Sequence, residues 1–373
     1  MERNLECWPG HLCGETRRAR DGLYRPARWR IYSGAGRVGH ESVNRQVILT
    51  SRLTGVAQAE NFAIVDASSL PLADGQIRIR NRYLSVEPAM RGWIADTGNY
   101  SAPVAIGAVM RALAVGEVVE SLTEKYRPGE LLVGWFGWQD EAVVEQSDIV
   151  RQITEVDLPP SLALGILGIN GVSAHLALTL IGEPTSGDTV LVSTAAGAVG
   201  SAVGQIAQIF GCRTIGITGG SEKVAQCTEH FGYDAALDYK AANFAEALAA
   251  ACSDGVNVYY DNTAGAISDL VYPHLSLNAR VVICGTAAIS SWSPWPDGPR
   301  VERHLLLKRA RMQGFVIFDH MDKYEASVAQ LADWVRSGQL RYQEDILNGL
   351  DTCPDALAGL YRGENKGKRI IKL

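Results

Sequence analysis

A short glycine-containing turn near the middle of the chain has the residue types and spacing to hold a phosphate group. The segment Ala195-Ala196-Gly197-Ala198-Val199-Gly200 lies between an apolar run, residues 189–194, and a helical pattern, residues 198–210. Gly197 permits the tight turn and Gly200 permits close packing of the helix on a sheet, while the free N–H groups and dipole of a helix start favour a pyrophosphate. The sequence therefore predicts a dinucleotide cofactor bound by Ala196, Gly197, Ala198, Val199 and Gly200.

A second glycine pair indicates which dinucleotide is bound. A site for NAD needs an acidic residue at the end of the second strand, where it bonds the ribose 2′-hydroxyl. Here that strand, residues 213–218, is followed by Gly219 and Gly220, and the next helix carries Lys223. A cation suits a 2′-phosphate, and Tyr239, after the third strand, offers a hydroxyl or a stacking face. These four residues favour NADP(H) over NAD.

The histidines and cysteines do not form the pattern of a metal site. His40 and Glu41 imitate a zinc-ligand motif, but they precede the first predicted strand, and no cysteine lies between residues 43 and 165 to join them. The seven cysteines are scattered without a C-x-x-C pair, and the other histidines are dispersed. We therefore expect neither a disulfide framework nor a bound metal.

The elements that must position these residues follow two patterns. From residue 43 to about 165, short β-rich segments alternate with turns, which predicts a β-barrel-like domain. From about 166 to 339, strands alternate with helices, which predicts a doubly wound parallel sheet of the Rossmann type, with residues 311–318, "RMQGFVIF", as a sixth strand. Residues 340–373 become β-rich again and are predicted to complete the first domain.

Length and composition fit a soluble protein of two domains. The chain has 373 residues, of which 47% are hydrophobic, and a net charge of −6 with acids and bases mixed, which argues against a nucleic-acid surface. No run of about 18 apolar residues is present, so we expect no transmembrane helix and a cytoplasmic protein. Residues 1–42 are rich in Arg and Gly without periodicity. A disordered or non-native extension is expected there, with an Arg-rich targeting segment as the alternative.

Several segments together resemble one known family: "LSVEPAMRGW" (84–93), "SLALGILGINGVSAHLAL" (161–178), residues 192–223, "VYYDNTAG" (258–265), "RVVICG" (280–285), "RMQGFVIFDH" (311–320) and "GENKGKRIIKL" (363–373). The chain resembles the zinc-independent medium-chain dehydrogenases/reductases. Within them it looks most like the NADPH-dependent alkenal/one oxidoreductases, which include prostaglandin reductases, leukotriene 12-hydroxydehydrogenases and curcumin reductases. The resemblance covers about residues 45–373. It implies a GroES-like β-barrel-type catalytic domain, 43–165 with 340–373, beside a Rossmann NADP-binding domain, 166–339.

The resemblance also implies further cofactor contacts. Lys223 and Tyr239 would bind the 2′-phosphate, and residues 197–200 the pyrophosphate. Phe315 and Val316 would meet the nicotinamide end through their backbone. The other residues that line or close the cleft are Asn262, Cys284, Gly285 and Asn365.

The reaction implied by the resemblance is a 1,4-reduction of an α,β-unsaturated ketone or aldehyde. Hydride goes to the β-carbon, hydrogen bonds stabilise the enolate, and a proton then reaches the α-carbon. Quinone or carbonyl reduction, and a non-catalytic, crystallin-like NADPH-binding role, remain alternatives.

The chain departs from the family at positions that usually carry tyrosine, which here are Ala89, Glu141 and Trp292. No catalytic residue is therefore assigned. Tyr83 is a candidate substitute for a proton donor, with an ordinary core position as its other interpretation. The predicted substrate pocket is apolar and aromatic, and it is lined by Ala89, Met90, Trp138 and Trp292.

We also expect a homodimer. The strand predicted at residues 311–318 is apolar and follows the fifth strand, so it should lie near the edge of the parallel sheet. An uncovered apolar edge favours pairing with a second copy, and the family resemblance points the same way.

Overall fold

The strands and helices follow the two patterns expected from the sequence. The computed structural model describes residues 43–53, 55–96, 101–289, 294 and 296–373. The strands in these residues are β1 Val43–Leu49, β2 Phe62–Ser68, β3 Ile77–Ser85, β4 Ala114–Ser121, β5 Leu131–Gly134, β6 Glu141–Val144, β7 Ile149–Gln152, β8 Thr189–Ser193, β9 Arg213–Thr218, β10 Ala235–Asp238, β11 Val256–Asp261, β12 Leu275–Ile283, β13 Arg311–Gly314, β14 Glu344–Asn348 and β15 Lys368–Lys372. The α-helices are α1 Met90–Ile94, α2 Ile169–Ala177, α3 Ala198–Ile209, α4 Ser221–Ala225, α5 Phe244–Ala251, α6 Gly265–Val271, α7 Glu302–Lys308, α8 Tyr324–Arg336 and α9 Cys353–Arg362. Within the described part of the chain, no helix is long and apolar enough to cross a membrane.

The first sheet contains strands from both ends of the described chain. Its order is β14-β15-β3-β4-β5-β7, and β6 pairs with the first half of β3. The side chains of β3 alternate between the two faces of the sheet. Ile77 and Ile79 face the core, whereas Arg78 and Arg80 face outward and pair with glutamates of neighbouring strands. β1 and β2 form a separate antiparallel pair that is bonded to this sheet through the Val47 N–H and the Trp138 carbonyl.

The second sheet is parallel throughout, in the order β10-β9-β8-β11-β12-β13. β8 is buried along its whole length, as expected for a central strand with helices on both faces. This is the doubly wound Rossmann order, in which the winding reverses between β8 and β11. The predicted fold class is thereby confirmed.

Some elements differ from the sequence prediction. The strand predicted at 311–318 ends at Gly314, and a 3-10 helix, Ile317–Lys323, follows because Phe315 and Ile317 turn into the core. β13 does lie at the sheet edge, but it is largely exposed and reads Arg-Met-Gln-Gly, so the prediction of an apolar edge strand was wrong. α1 was not predicted because a helix of five residues is too short to show a helical period.

Separate hydrophobic cores lie against the two sheets, and Ile169 and Phe318 contact the core of each. The predicted division into residues 43–165 with 340–373, and residues 166–339, remains a proposal. It is supported by the pairing of β15 with β3 and of β14 with β15.

Candidate active site and cofactor cleft

The turn after β8 has a shape that presents the start of α3. Thr194 has a positive φ of 55°, and α3 begins after Gly197, its N-cap. A Cβ on Gly200 would lie 2.2 Å from the Thr194 carbonyl oxygen, so only glycine lets the helix pack this closely. The first backbone N–H groups of the helix have no acceptor within it, and the positive end of its dipole lies at the same place. The geometry of residues 196–200 therefore fits a pyrophosphate.

Tyr233 holds α3 in this position. Its hydroxyl donates to the Gly200 carbonyl at 2.6 Å, and a Cβ on Gly204 would lie 2.1 Å from its ring. Burial raises the pKa of Tyr233 well above its usual value, so the phenol stays a neutral donor. The sequence analysis did not identify this residue.

The other predicted cofactor residues of the second sheet follow the carboxyl ends of its strands. Because the strands are parallel, these ends lie on the same side of the sheet. A doubly wound sheet binds ligands in the crevice on this side, at the point where the winding reverses. The structure brings together Gly219 and Gly220 after β9, Tyr239 after β10, Asn262 after β11, Cys284 and Gly285 after β12, and Phe315 and Val316 after β13.

Asp261, which the sequence analysis missed, joins the ends of β8 and β11. Its fully buried carboxylate accepts hydrogen bonds from the hydroxyls of Ser193, at 3.1 Å, and Ser268, at 2.6 Å, and from two backbone N–H groups of the following turn. Asn262 adds a bond from its Nδ2 to the Ser193 carbonyl at 2.7 Å. The Asn262 amide nitrogen thus holds the crevice together. The sequence does contain a signal for Asp261, because it is an acidic residue at the end of the apolar run "VYYD".

A pocket of about 360 Å³ lies beside the start of α4 and is lined by Glu222, Lys223, Gln226, Gln343, Gly363, Glu364 and Lys366. The half-buried Lys223 donates from Nζ to the Gly363 carbonyl at 2.8 Å. Burial lowers the pKa of Lys223, and the nearby positive charges of Lys240 and Arg369 lower it further. The two carboxylates of the lining are already paired, Glu222 with Lys366 and Glu364 with Arg362. Lys223 is bonded to a carbonyl oxygen and keeps its charge available for an anion, so this pocket fits a 2′-phosphate.

Tyr239 and Asn365 lie in loops next to these groups. Tyr239 is 42% exposed, and a Cβ on Gly219 would lie 2.8 Å from its ring. Asn365 donates from Nδ2 to the Gly367 carbonyl at 2.8 Å and so stabilises the loop that lines the pocket. A direct contact of either side chain with the cofactor stays a prediction.

Two of the predicted pocket residues belong to the core instead. Met90 and Trp138 are both fully buried, and the Trp138 indole N–H donates to the Ser85 carbonyl at 3.0 Å. Both side chains turn inward and pack among the core residues of the first sheet, and their contact with a substrate stays a prediction. Ala89 is partly exposed, and Trp292 lies outside the described residues.

Arg91 connects α1 with the loop that follows β12. Its guanidinium donates to the Ile289 carbonyl and lies 5.3 Å from the centroid of the Tyr361 ring. The Tyr361 hydroxyl donates to the Pro88 carbonyl at 2.6 Å. Arg91 thus joins the segment of residues 87–91 to the loop after β12, a contact that the sequence analysis did not predict.

Tyr83 is half-buried in β3, opposite Val115 and Lys372, and packs against the core of the first sheet. This placement agrees with the core interpretation. Its role as a proton donor stays a prediction.

Two family models match the chain: "N-terminal domain of oxidoreductase" over residues 45–152 and "Zinc-binding dehydrogenase" over residues 198–334. The NADPH-dependent curcumin reductase of Escherichia coli (strain K12) is 38% identical over 335 residues, which are 88% of this chain and 97% of that protein. The 2-alkenal reductase (NADP(+)-dependent) of Nicotiana tabacum is 32% identical over 340 residues, 90% and 98% of the two chains. The crystal structure of CurA in complex with NADPH from Vibrio vulnificus matches with a TM-score of 0.83 at 39% identity, covering 88% of this chain and 98% of that one.

The chain belongs to this reductase family. The family is the alkenal/one oxidoreductase branch of the medium-chain dehydrogenases/reductases, so the resemblance inferred from the motifs is confirmed.

Metal binding needs separate comment, because one matching model of the reductase family names zinc. Among the described residues, no group of three or more His, Cys, Asp or Glu side chains is placed to hold a metal ion. His40 and Glu41 lie outside these residues. The prediction that this member of the family binds no metal therefore stays a prediction.

Glu141 stands at one of the three positions where the reductase family usually has tyrosine, and in the structure its side chain forms an ion pair. Glu141 lies in β6, and its carboxylate pairs with Arg80 of β3 at 3.2 Å. This side chain supports the sheet, and a catalytic function is not needed to explain it.

Proposed function

We propose that this chain is an NADPH-dependent reductase of the carbon–carbon double bond in α,β-unsaturated ketones and aldehydes. The observation that supports the proposal is the glycine-containing turn at residues 196–200, whose geometry fits a pyrophosphate, together with the pocket that holds Lys223, in a member of the reductase family. We further propose that the reaction does not depend on zinc, since histidine and cysteine residues are dispersed along the sequence.

Each part of the cleft has a separate task in this reaction. When bound, NADPH supplies a hydride for the β-carbon of the substrate. The N–H groups of residues 196–200 bind the pyrophosphate and Lys223 binds the 2′-phosphate. Residues 87–91 and the loop after β12, joined by Arg91, enclose the substrate and restrict water. The chain therefore acts chiefly by orienting two reactants.

We propose that water delivers the proton to the α-carbon. Ala89 and Glu141 stand at positions where the family usually has tyrosines, and Glu141 is engaged with Arg80. A positioned acid is not essential for hydride transfer, which depends on geometry.

A panel of unsaturated aldehydes, unsaturated ketones, quinones and saturated carbonyl compounds, assayed for NADPH oxidation, tests the function. We expect turnover with the unsaturated ketones and aldehydes, and much weaker turnover with NADH. Turnover with quinones alone, or with saturated carbonyl compounds alone, would show that the chain is a quinone reductase or a carbonyl reductase instead. Tight NADPH binding without any turnover would support a non-catalytic role instead.

We also propose that the chain forms a homodimer through the edge of the parallel sheet. Although β13 is polar, exposed apolar side chains lie in elements beside it: Leu306, 75% exposed, Leu307, 53% exposed, and Leu277 of β12, 52% exposed. An open strand edge with neighbouring apolar side chains suits an isologous interface.

We propose a cytoplasmic location. Cys212, Cys227, Cys252, Cys284 and Cys353 are free thiols, which suits a reducing compartment. Fractionation of cells that express the full chain tests this location, and recovery of the chain from an organelle would contradict it.

A further inference from the structure

A buried charged pair lies at the start of the segment of residues 87–91, which we call the wall segment. Lys368 of β15 is 4% exposed and Glu87 is 3% exposed. Lys368 Nζ and Glu87 Oε1 are 2.6 Å apart. None of the cofactor contacts predicted from the sequence involves either residue.

Lys368 directs its donors to three successive residues at the point where β3 ends and the wall segment begins. Nζ lies 2.7 Å from Ser85 Oγ and 3.0 Å from the Val86 carbonyl oxygen, in addition to its bond with Glu87. The Ser85 hydroxyl also donates to Glu87 Oε1 at 2.6 Å. One ammonium group therefore determines the direction in which the chain leaves the sheet.

Glu87 extends this network to α2, which packs against the parallel sheet. Its second carboxylate oxygen accepts a hydrogen bond from Asn170 Nδ2 of α2 at 3.2 Å. At the other end of the wall segment, Arg91 is bonded to the loop after β12. The wall segment is thus connected at both ends to the part of the chain that carries the predicted cofactor residues.

Stability alone does not account for a buried pair of this kind. Moving both charges out of water is costly, and apolar residues of similar size are often equally or more stabilising. Burial lowers the pKa of Lys368, and Glu87 acts in the opposite direction. What the pair does provide is a fixed direction for the chain after β3, because its hydrogen bonds are short and join specific atoms.

We propose that Lys368 and Glu87 are positioning residues for the reduction. They hold the wall segment at a set distance from the nucleotide-binding sheet, and the hydrogen bond between Glu87 and Asn170 ties the segment to α2. Neither residue touches the substrate. The inference rests on the proposed function, since it concerns the distance between substrate and cofactor.

The decisive variant is the double substitution Glu87→Met with Lys368→Met, because it removes both charges and leaves neither one buried alone. We expect the unfolding midpoint and the Kd for NADPH to stay close to those of the wild type. We expect kcat to fall by about tenfold to a hundredfold, the range for misplaced reactants. A double variant that folds and keeps the wild-type kcat would overturn the proposal.

Two further variants keep the test conclusive if the double variant does not fold. Asn170→Ala breaks only the connection to α2, and a fall in kcat without a change in the Kd for NADPH is expected. Arg280→Met is the control, because it removes a mostly buried pair with Asp188, 2.6 Å apart, near the start of β8. It should lower the unfolding midpoint and leave kcat unchanged. Asn170→Ala with the wild-type kcat, or Arg280→Met with an equal loss of kcat, would contradict a positioning role.

Hydrogen–deuterium exchange separates this inference from the proposed function. The amides of Met90 and Arg91, which bond within the wall segment, should exchange at least about tenfold faster in the double variant or in Asn170→Ala than in Arg280→Met. If the wild-type chain shows no turnover at all, the proposed function fails. The exchange result alone then decides whether Lys368 and Glu87 hold the wall segment in place. Unchanged exchange in both variants would then overturn the inference.

Discussion

Lys223 is the side chain on which the choice of cofactor depends. The end of β9 carries glycine instead of an acidic residue, and the two carboxylates that line the pocket around Lys223 are paired with other cations. Lys223→Ala should weaken NADPH binding by about 1.5–3 kcal/mol, the range for hydrogen bonds to charged groups, and leave NADH binding nearly unchanged. Titration of both cofactors against wild type, Lys223→Ala and the remote control Lys125→Ala checks this. Equal affinities of the wild type for NADPH and NADH would contradict the assignment.

Tyr83 tests the delivery of the proton. A dedicated acid typically contributes about 10²–10⁴-fold to the rate. Because Tyr83 packs against the core of the first sheet, we expect Tyr83→Phe to lower kcat on an enone by less than about tenfold, below that range. A fall of about a hundredfold or more, with folding and NADPH affinity intact, would show that Tyr83 is the acid.

The sequence predicted the positions of backbone turns better than the surroundings of side chains. Residues 196–200 and the glycines after β9 follow from local spacing, and each leads from a strand into a helix as expected. The burial of Met90 and Trp138 and the contacts of Lys368 were not predicted, because they depend on distant strands. Lys368 meets Ser85 across 283 positions of sequence, and no local pattern indicates such a contact.

Among the elements, α3 depends on one close contact. A Cβ on Gly204 would lie 2.1 Å from the Tyr233 ring, so Gly204→Ala must displace either the ring or the helix. We expect the free energy of unfolding to fall by about 1–3 kcal/mol and NADPH binding to weaken as the start of α3 moves. Gly314→Ala is the control, since nothing lies within 4 Å of a Cβ there. Equal stability of the two variants by denaturant unfolding would show that this contact is unimportant.

The packing of α2 on α8 should make stability depend on pH. His175 Nδ1 lies 2.8 Å from Ser327 Oγ, and burial lowers the pKa of His175 from 6.5. The unfolded chain therefore takes up a proton near pH 6.5 that the folded chain resists, so the free energy of unfolding falls as the pH drops below this value, down to the folded pKa. Melting temperatures across this range should fall less in His175→Gln than in the wild type. Parallel curves for the two proteins would refute the linkage.

Element boundaries were predicted where an apolar period is long. The helix that was predicted to carry Lys223 is present as α4, but it continues as a π-helical segment, Gln226–His230. Such a change in hydrogen bonding leaves the side-chain pattern almost unaltered, so the sequence does not indicate it. β13 was predicted too long for a related reason, since apolar residues that enter the core from a 3-10 helix resemble those of a strand.

The whole molecule is expected to be a dimer. Light scattering at micromolar concentration should give the mass of two chains. Leu306→Arg with Leu307→Arg should shift the mass toward one chain, because the charges would be buried at the interface. Val156→Arg, at a side chain 96% exposed, is the control and should keep the dimer. A wild-type mass of one chain would refute the prediction.

The fold of the whole molecule was predictable because strand and helix periods differ strongly along the chain. The return of β14 and β15 to the first sheet was also predicted, from two short β-rich segments alone. How the two sheets are joined was not, since the connection depends on the buried Glu87, Asn170 and Lys368.

The central claim is hydride transfer to the carbon–carbon double bond. The most direct measurement uses NADPH that carries deuterium at the transferred position, with an α,β-unsaturated ketone as substrate and analysis of the product by NMR. The account predicts a saturated ketone with deuterium on the β-carbon and an intact carbonyl group. An allylic alcohol with deuterium on the former carbonyl carbon, or no product in the presence of bound NADPH, would contradict it.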